Sequence, residues 1–500
     1  MKTLLFVLVP IVAFALPEPN QWRGPQRDGI FPATGLLREW PKEGPKLAWQ
    51  IEGLGQGLSS VAIGGGKLFT ISQRKGGQFV VAFDLASRKE VWAAKISDND
   101  DSPNGTPTID DGQVFAVSKD GKMLCCAAAD GREQWRKDFA ADFGGKMMSG
   151  WGYSESPLVD GDQVIVTPGG KEALLVALDR KTGQTRWKAA QPDRIGSRGE
   201  DGAGYTGAVI SNAVGFRQYV TLVGRGVVSV QASDGKILWA YNRIANGTAN
   251  IPTPLAWDDY VFTSTGYGTG AALLKVTRAD AAKTTEPAPV SGAEKIAGLQ
   301  KKLADLNAEI TRRREARAKT QEGSPEYDKA NEAVQSIKPD IATAERELAK
   351  ARGTPDVVEG PKAISGSPLA IEEVYFLEAG AFQNHHGGMV RIGDHIYAGK
   401  GHNNGFPICL EWKTGKPTWD KGRGPGKESA AVIAADGFLY FRYQDGTMAL
   451  IEATPSGYSE KGSFKLPHVD GPAWSHPVIH GGQLFIRDQD ALMCYDLRPR

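Results

Sequence analysis

One recurring phrase constrains this chain more than any other feature. A small residue is followed by a hydrophobe, often by Asp, then by a polar turn, and a tryptophan stands ten positions on. It reads AFDLASRKEVW from Ala82 to Trp92, CCAAADGREQW from Cys125 to Trp135 and ALDRKTGQTRW from Ala177 to Trp187. It returns as SVQASDGKILW from Ser229 to Trp239 and CLEWKTGKPTW from Cys409 to Trp419. In the third copy Leu174 to Leu178 is an apolar run of strand length. Lys181-Thr182-Gly183 supplies a turn in which glycine takes a positive φ. Strand–turn–strand units returning at roughly 40–50 residues predict the blades of a β-propeller. The tryptophans read as packing residues, since a large flat ring on an outer strand covers the gap to the next blade.

The inner strands repeat as well. Pro107, Pro157, Pro254 and Pro477 each open a segment, where no ladder donor is needed. Eight positions on stand Phe115, Ile165, Phe262 and Phe485. Strand centres fall near Ala82, Cys125, Ala177, Ser229, Leu274, Cys409, Ala449 and Cys494. The last has no tryptophan strand after it, and Leu47-Ala48-Trp49-Gln50 is an orphan outer strand at the other end of the chain. The N-terminal strand is therefore expected to complete the last blade, which hides the sheet edges. The predicted fold is all-β: an eight-bladed β-propeller of four-stranded antiparallel blades.

Composition agrees with this reading. Across 500 residues, 41% hydrophobic content suffices for a large core, and 61 glycines suit a turn-rich chain. A net charge of +1 gives no footprint for nucleic acid. Residues 1–15 read as a signal peptide, with Lys2, an apolar run from Leu4 to Phe14 and an Ala13-Phe14-Ala15 cleavage site. No later apolar run has membrane-spanning length, and no cysteine follows the cleavage site to carry a lipid. A periplasmic or secreted location is expected. Residues 16–46 form an N-terminal extension, and 47–284 and 356–500 carry the blades. Cys125, Cys409 and Cys494 occupy the small-residue slot of the repeat and read as buried hydrophobes. Cys126 points to the other face of the same strand, which disfavours a vicinal disulfide.

Residues 285–355 break the strand pattern. Ile296, Leu299, Leu303, Leu306 and Ile310 step by three and four, as do Tyr327, Ala330, Val334, Ile337, Ile341, Ala344, Leu348 and Ala351. Ser324-Pro325-Glu326 starts a helix between them. An α-helical coiled-coil hairpin inserted in blade five is expected, with arms of roughly 40 Å projecting from the ring and a kink at Pro339. Arg312, Arg313, Arg314 and Arg317 lie near its tip and read as a solvated helical surface or, alternatively, as a docking arm for an acidic partner.

The repeat resembles the tryptophan-docking repeat of pyrroloquinoline-quinone (PQQ) propellers. Gln21-Trp22-Arg23-Gly24-Pro25-Gln26-Arg27-Asp28-Gly29 and Gln383-Asn384-His385-His386-Gly387-Gly388 are similar to segments of exported bacterial PQQ-binding-like propellers. The resemblance implies one of two functions. Quinoprotein alcohol dehydrogenases hold PQQ and calcium on one face of the ring, and outer-membrane-assembly-like propellers bind protein partners. The chain departs from the first in lacking a matched calcium set and a loop disulfide, and from the second in lacking a lipid-bearing cysteine.

A ligand site is expected at the propeller mouth, where the joints between blades converge. Those joints supply Asn104, Trp151, Tyr153, Glu155, Tyr205, Asn250, Asn384, His385, His386, Lys427, Glu428, Trp474 and His476. Asp98-Asn99-Asp100-Asp101 is oxygen-rich but lacks the spacing of a calcium loop. No nucleophile elbow, phosphate loop or zinc motif is present. The expected function is a ligand- or protein-binding scaffold, with no metal assigned. The alternative is a PQQ- and calcium-dependent dehydrogenase, with PQQ stacked on Trp151 or Trp474, Lys427 facing its carbonyls and Glu155 near the calcium.

Overall fold

The computed structural model describes residues 17–192, 195–279, 293–321, 324–351, 361–364 and 366–499. The signal segment lies outside these residues. Eight antiparallel sheets form the ring, seven with their strands in sequence order from the axis outwards and the last with the chain's first strand outermost. Blade one holds Ala62–Gly64, Lys67–Arg74, Gly77–Asp84 and Glu90–Ser97. The ring closes as expected: Lys46–Ile51 pairs antiparallel with Ala491–Asp496, setting Trp49 opposite Cys494.

The core lies between neighbouring blades. Within strand Lys122–Ala127, Cys125 packs with Phe115 and Trp135, while Cys126 packs with Val114 and Leu124 in the cluster shared with blade one. Adjacent cysteines thus serve two different layers, and both are buried free thiols.

The repeat phrase is an interlock. Each indole donates to a backbone carbonyl of the next blade: Trp92 to Ala128 at 3.2 Å, Trp135 to Arg180 at 3.0 Å, Trp187 to Ala232 at 3.1 Å and Trp419 to Thr454 at 2.8 Å. The turn glycine of the next blade lies flat on the first three of these rings, and Tyr458 meets Trp419 instead. A Cβ at Gly131 would come within 2.6 Å of the Trp92 ring, and its φ is +74°. Glycine is thus required there both for conformation and for contact. Blade five breaks the rule, because the insert replaces its turn. Trp239 instead donates to Gln218 within its own blade at 2.9 Å. Tyr375 takes the docking role in blade five, its hydroxyl donating to Trp412 O at 2.9 Å. Blade four gains a fifth strand, Pro361–Ala363, on its outer edge.

The N-terminal extension does more than lead into the closing strand. It crosses the axis and touches every blade. Pro19 O accepts from Ile63 N at 2.9 Å, Asn20 O from Ile109 N at 2.8 Å, and Ala434 O from Phe31 N at 2.8 Å. Arg27 donates to Ser156, Pro157 and Ala208 carbonyls, Trp22 to Thr253 at 3.4 Å, Arg23 to Met389 O, and Leu37 N to Leu497 O at 2.7 Å. The motif Gln21–Gly29 is therefore an axial plug. The plug also explains Gly388 of the His-His-Gly-Gly motif, where a Cβ would lie 1.9 Å from Arg23 Nη1.

The insert is a helical hairpin, Ala293–Ala318 and Pro325–Ala351. Ile310, Val334 and Ile337 form its seam with Leu306 and Ile341. Ser324 Oγ caps the second arm by accepting from Tyr327 N at 3.1 Å, and the helix runs unbroken through Pro339. Its direction differs from expectation. The insert leaves between the third and outer strands of blade five, on the face opposite the mouth, yet Arg317 and Tyr327 beside its turn line the mouth cavity. Arms of 26 and 27 residues, roughly 40 Å at 1.5 Å per residue, exceed the height of a six-residue strand and can climb the rim. The hairpin roofs the mouth instead of projecting from it.

Candidate ligand site at the propeller mouth

Plug, blades and hairpin enclose a cavity of about 940 Å³. Two kinds of loop build its wall. The joints between blades contribute Asn104, Trp151, Tyr205, His385, His386, Trp474 and His476. The turns between second and third strands reach the same face and contribute Lys119, Tyr267, His402, Gln444 and Gln489. Trp22 and Arg23 of the plug form the floor, and Arg317 and Tyr327 the roof.

Other sequence-nominated residues lie outside the cavity. Tyr153 is buried against Phe139, and its hydroxyl donates to Pro168 O at 2.8 Å. Glu155 is 4% exposed and accepts from Thr167 N at 2.8 Å. Burial pushes its carboxyl up to about 7 against the opposing pull of Thr167 and Arg27. Asn384 braces its own loop, accepting from Gly388 N at 3.1 Å and donating to Gly399 O at 3.0 Å. Asn250 likewise donates to Val223 O and Gly224 O. Lys427 and Glu428 are exposed beside the cavity, while their neighbour Ser429 turns inward to His385. Glu428 is in the left-handed region at φ +64°, so the chain turns there before strand Ala430–Ala435 begins.

The histidines form a stack. Ring centroids of His385 lie 4.3 Å from both His386 and His402, and the His386 ring lies 4.8 Å from Trp474. His385 is held at both nitrogens, by Ser429 Oγ at 2.8 Å and Tyr267 Oη at 3.0 Å. His476 lies under the Trp22 ring at 4.5 Å and beside Arg23 Nη1 at 3.5 Å. Burial, reinforced by His402, pushes His386 down to about 3. Burial and then Lys338 of the hairpin push His402 down to about 4. His385 and His476 are also well below the ordinary value, mainly by burial. All four are neutral at pH 7, and among the described residues no carboxylate lines the cavity. Its charge comes from Arg23, Lys119 and Arg317 alone.

Neutral buried histidines have a measurable consequence. His386 and His402 take up a proton near pH 6.5 when unfolded but only near about 3 and about 4 when folded. Between those values the unfolded state binds more protons, so stability is full above about pH 6.5 and falls as pH drops. The expected slope is up to about 1.4 kcal/mol per pH unit for each histidine. Urea unfolding at pH 7, 6 and 5 measures it, and His386→Asn with His402→Asn flattens it.

The donor set does not suit calcium. The cavity offers no Asp or Glu, and no group of three His, Cys, Asp or Glu among the described residues is placed to hold a metal ion. Trp151 and Trp474 meet edge to face at 68° and do not make a parallel slot.

Comparison with known proteins agrees with the ring. The family described as outer membrane protein assembly factor BamB matches residues 76–305. The repeat and the ring make this chain a β-propeller, and the family match makes it similar to the PQQ-like propellers. Among its relatives is the outer membrane protein assembly factor BamB of Burkholderia pseudomallei, 26% identical over 159 residues. That match spans 31% of this chain and only 38% of the relative. BamB from Moraxella catarrhalis is similar in structure, with a TM-score of 0.52 at 12% identity over 91% of this chain and 98% of that one. The quinohemoprotein alcohol dehydrogenase of Comamonas testosteroni gives a TM-score of 0.55 at 11% identity, covering 97% of this chain and 81% of that one. A europium-containing methanol dehydrogenase gives 0.51 at 14% identity, covering 95% and 91%. At such identities the likeness is one of fold, and the fold hosts both binding and catalysis.

Proposed function

We propose that this chain is an exported propeller scaffold that binds a ligand in its roofed mouth and meets a protein partner through its rim or the outer face of the hairpin. The carrying observation is the cavity itself: about 940 Å³, aromatic and cationic, with no carboxylate among the described residues of its wall. Such a lining suits recognition, while calcium-assisted hydride removal needs carboxylates for the ion and a base for the alcohol proton. The partner reading draws on the relatives described as assembly factors. Export rests on the sequence of residues 1–15, and no described helix is long and apolar enough to cross a membrane.

The test is a thermal-shift screen of a chemically varied metabolite panel, run on the wild type and on Trp474→Ala. The expected result is one or more stabilising compounds whose effect disappears in the variant. If no compound depends on the mouth, the binding reading fails. Loading with PQQ and calcium, followed by desalting and an alcohol-driven dye assay, is expected to give neither retained quinone nor turnover. Retained quinone with turnover gives the protein to the dehydrogenases.

A further inference from the structure

The mouth holds a buried cation with no carboxylate hydrogen-bonded to it. Arg23 is 2% exposed. Its Nη2 donates to the backbone carbonyls of Asp28 and Met389, its Nη1 meets His476, and its Nε has no partner among the described residues. Asp28 is the nearby acid, but it meets the guanidinium through its backbone oxygen, and its carboxylate is turned to Ile30 N at 2.9 Å. A guanidinium keeps its charge in such a place, and a buried charge calls for an opposite one. Lys119, whose Nζ meets the exposed Asp101 at 3.9 Å, and Arg317 add positive charge from two further elements, and no described lining residue is a carboxylate.

The aromatic geometry adds shape to this charge. Trp151 is 55% exposed, which is high for so large an apolar side chain. Its ring stands at 68° to that of Trp474, with centroids 6.5 Å apart. Trp474 is fixed by its Nε1 donating to Gln444 at 2.7 Å. Two ring faces at a steep angle suit two successive small rings in a bent chain better than one flat fused system. Saturated sugar rings present C–H faces to indoles and hydroxyls to the surrounding polar groups. The volume lies near the upper end of small-molecule sites, with room for more than one ring.

We infer that the mouth binds an acidic oligosaccharide, a short chain of carboxylated sugar rings that stack on Trp151 and Trp474 while their carboxylates meet Arg23, Lys119 and Arg317. This rests on the mouth being a ligand site. The test titrates the full mature chain with trigalacturonate, maltotriose and PQQ, reading tryptophan fluorescence and heat. Trigalacturonate is expected to bind and to weaken several-fold as salt is raised, with maltotriose at least about tenfold weaker. Trp474→Ala should cost about tenfold or more. Lys119→Gln and Arg317→Gln should each cost several-fold while leaving maltotriose unchanged. Matched circular dichroism and Tm show that these variants fold. Equal affinity for maltotriose overturns the acidic preference. Binding of PQQ alone overturns the sugar assignment. Silence from all three probes also overturns it, and the metabolite screen then decides separately whether the mouth binds any ligand.

Discussion

Replacing Arg442 by alanine should lower the unfolding free energy by about 3–5 kcal/mol. Arg442 lies in strand Phe438–Tyr443 of blade seven and Asp488 in strand Gln483–Asp488 of blade eight. Their ion pair is 2.7 Å long, and both side chains are fully buried. Arg442 also donates to Ser475 O at 2.7 Å, while Asp488 accepts from Asp470 N at 2.9 Å. Truncation strands the Asp488 charge in the seam beside the closing blade, and desolvation makes that costly. Removing both charges should cost much less. Arg442→Met combined with Asp488→Leu is expected to stay within about 2 kcal/mol of the wild type, since apolar groups of similar volume replace a buried pair well. Urea unfolding of the two variants decides this. Equal losses in both would mean that packing, not charge, holds the seam.

The second large effect is expected at Arg27. Its guanidinium donates to Gln21 Oε1 at 2.8 Å, Ala208 O at 3.0 Å and Ser156 O at 2.8 Å, and also to Pro157 O. It also opposes the burial penalty on Glu155. Arg27→Ala leaves buried carbonyls unpaired in blades three and four and removes the one cation that favours the Glu155 carboxylate. At about 1–3 kcal/mol for each buried group left unsatisfied, with water relieving some of them, a loss of about 3–4 kcal/mol is expected. The loss should be local as well as global. With its anchor gone, the plug around Gln21–Gly29 becomes open to protease before the blades do. Glu155→Gln in the Arg27→Ala background should recover part of the stability, because the carboxyl, at about 7 even beside Arg27, must take up a proton to stay buried without it. A double-mutant cycle by urea unfolding, with limited proteolysis of each variant, measures both claims. No recovery would show that the carbonyls alone carry the cost.

Legibility of the fold and of the site differed for reasons visible in single residues. Trp92, Trp135 and Trp187 each carry on their rings the turn glycine of the next blade's phrase, so one short pattern records an interblade contact. Repeated packing leaves repeated sequence. The mouth leaves no such trace, since each blade contributes a different side chain there. Reading only the joints between blades found Trp151, Tyr205, His385, His386, Trp474 and His476 but missed Tyr267, His402, Lys119, Gln444 and Gln489. Those lie on the turns between second and third strands, which share that face by strand alternation alone. That signal was available, since the direction of each strand was already fixed by the repeat. Trp22 and Arg23 were visible as a motif, but nothing local says that the segment crosses the axis.

What the sequence determined by itself is therefore the periodic part: eight antiparallel blades, closure by the strand around Trp49, four buried thiols and a helical pair with its cap at Ser324. Each rests on contacts between residues near in sequence or one repeat apart, where periodicity and turn chemistry suffice. Only the tertiary structure decided that Gln21–Gly29 plugs the axis, that the hairpin lies over the mouth, that Glu155 and Lys427 stay out of the cavity and that His402 enters it. Those outcomes depend on contacts more than a hundred residues apart, such as Arg23 with Met389 and Tyr267 with His402. Burial and chain direction in three dimensions select such contacts, and no local pattern encodes them.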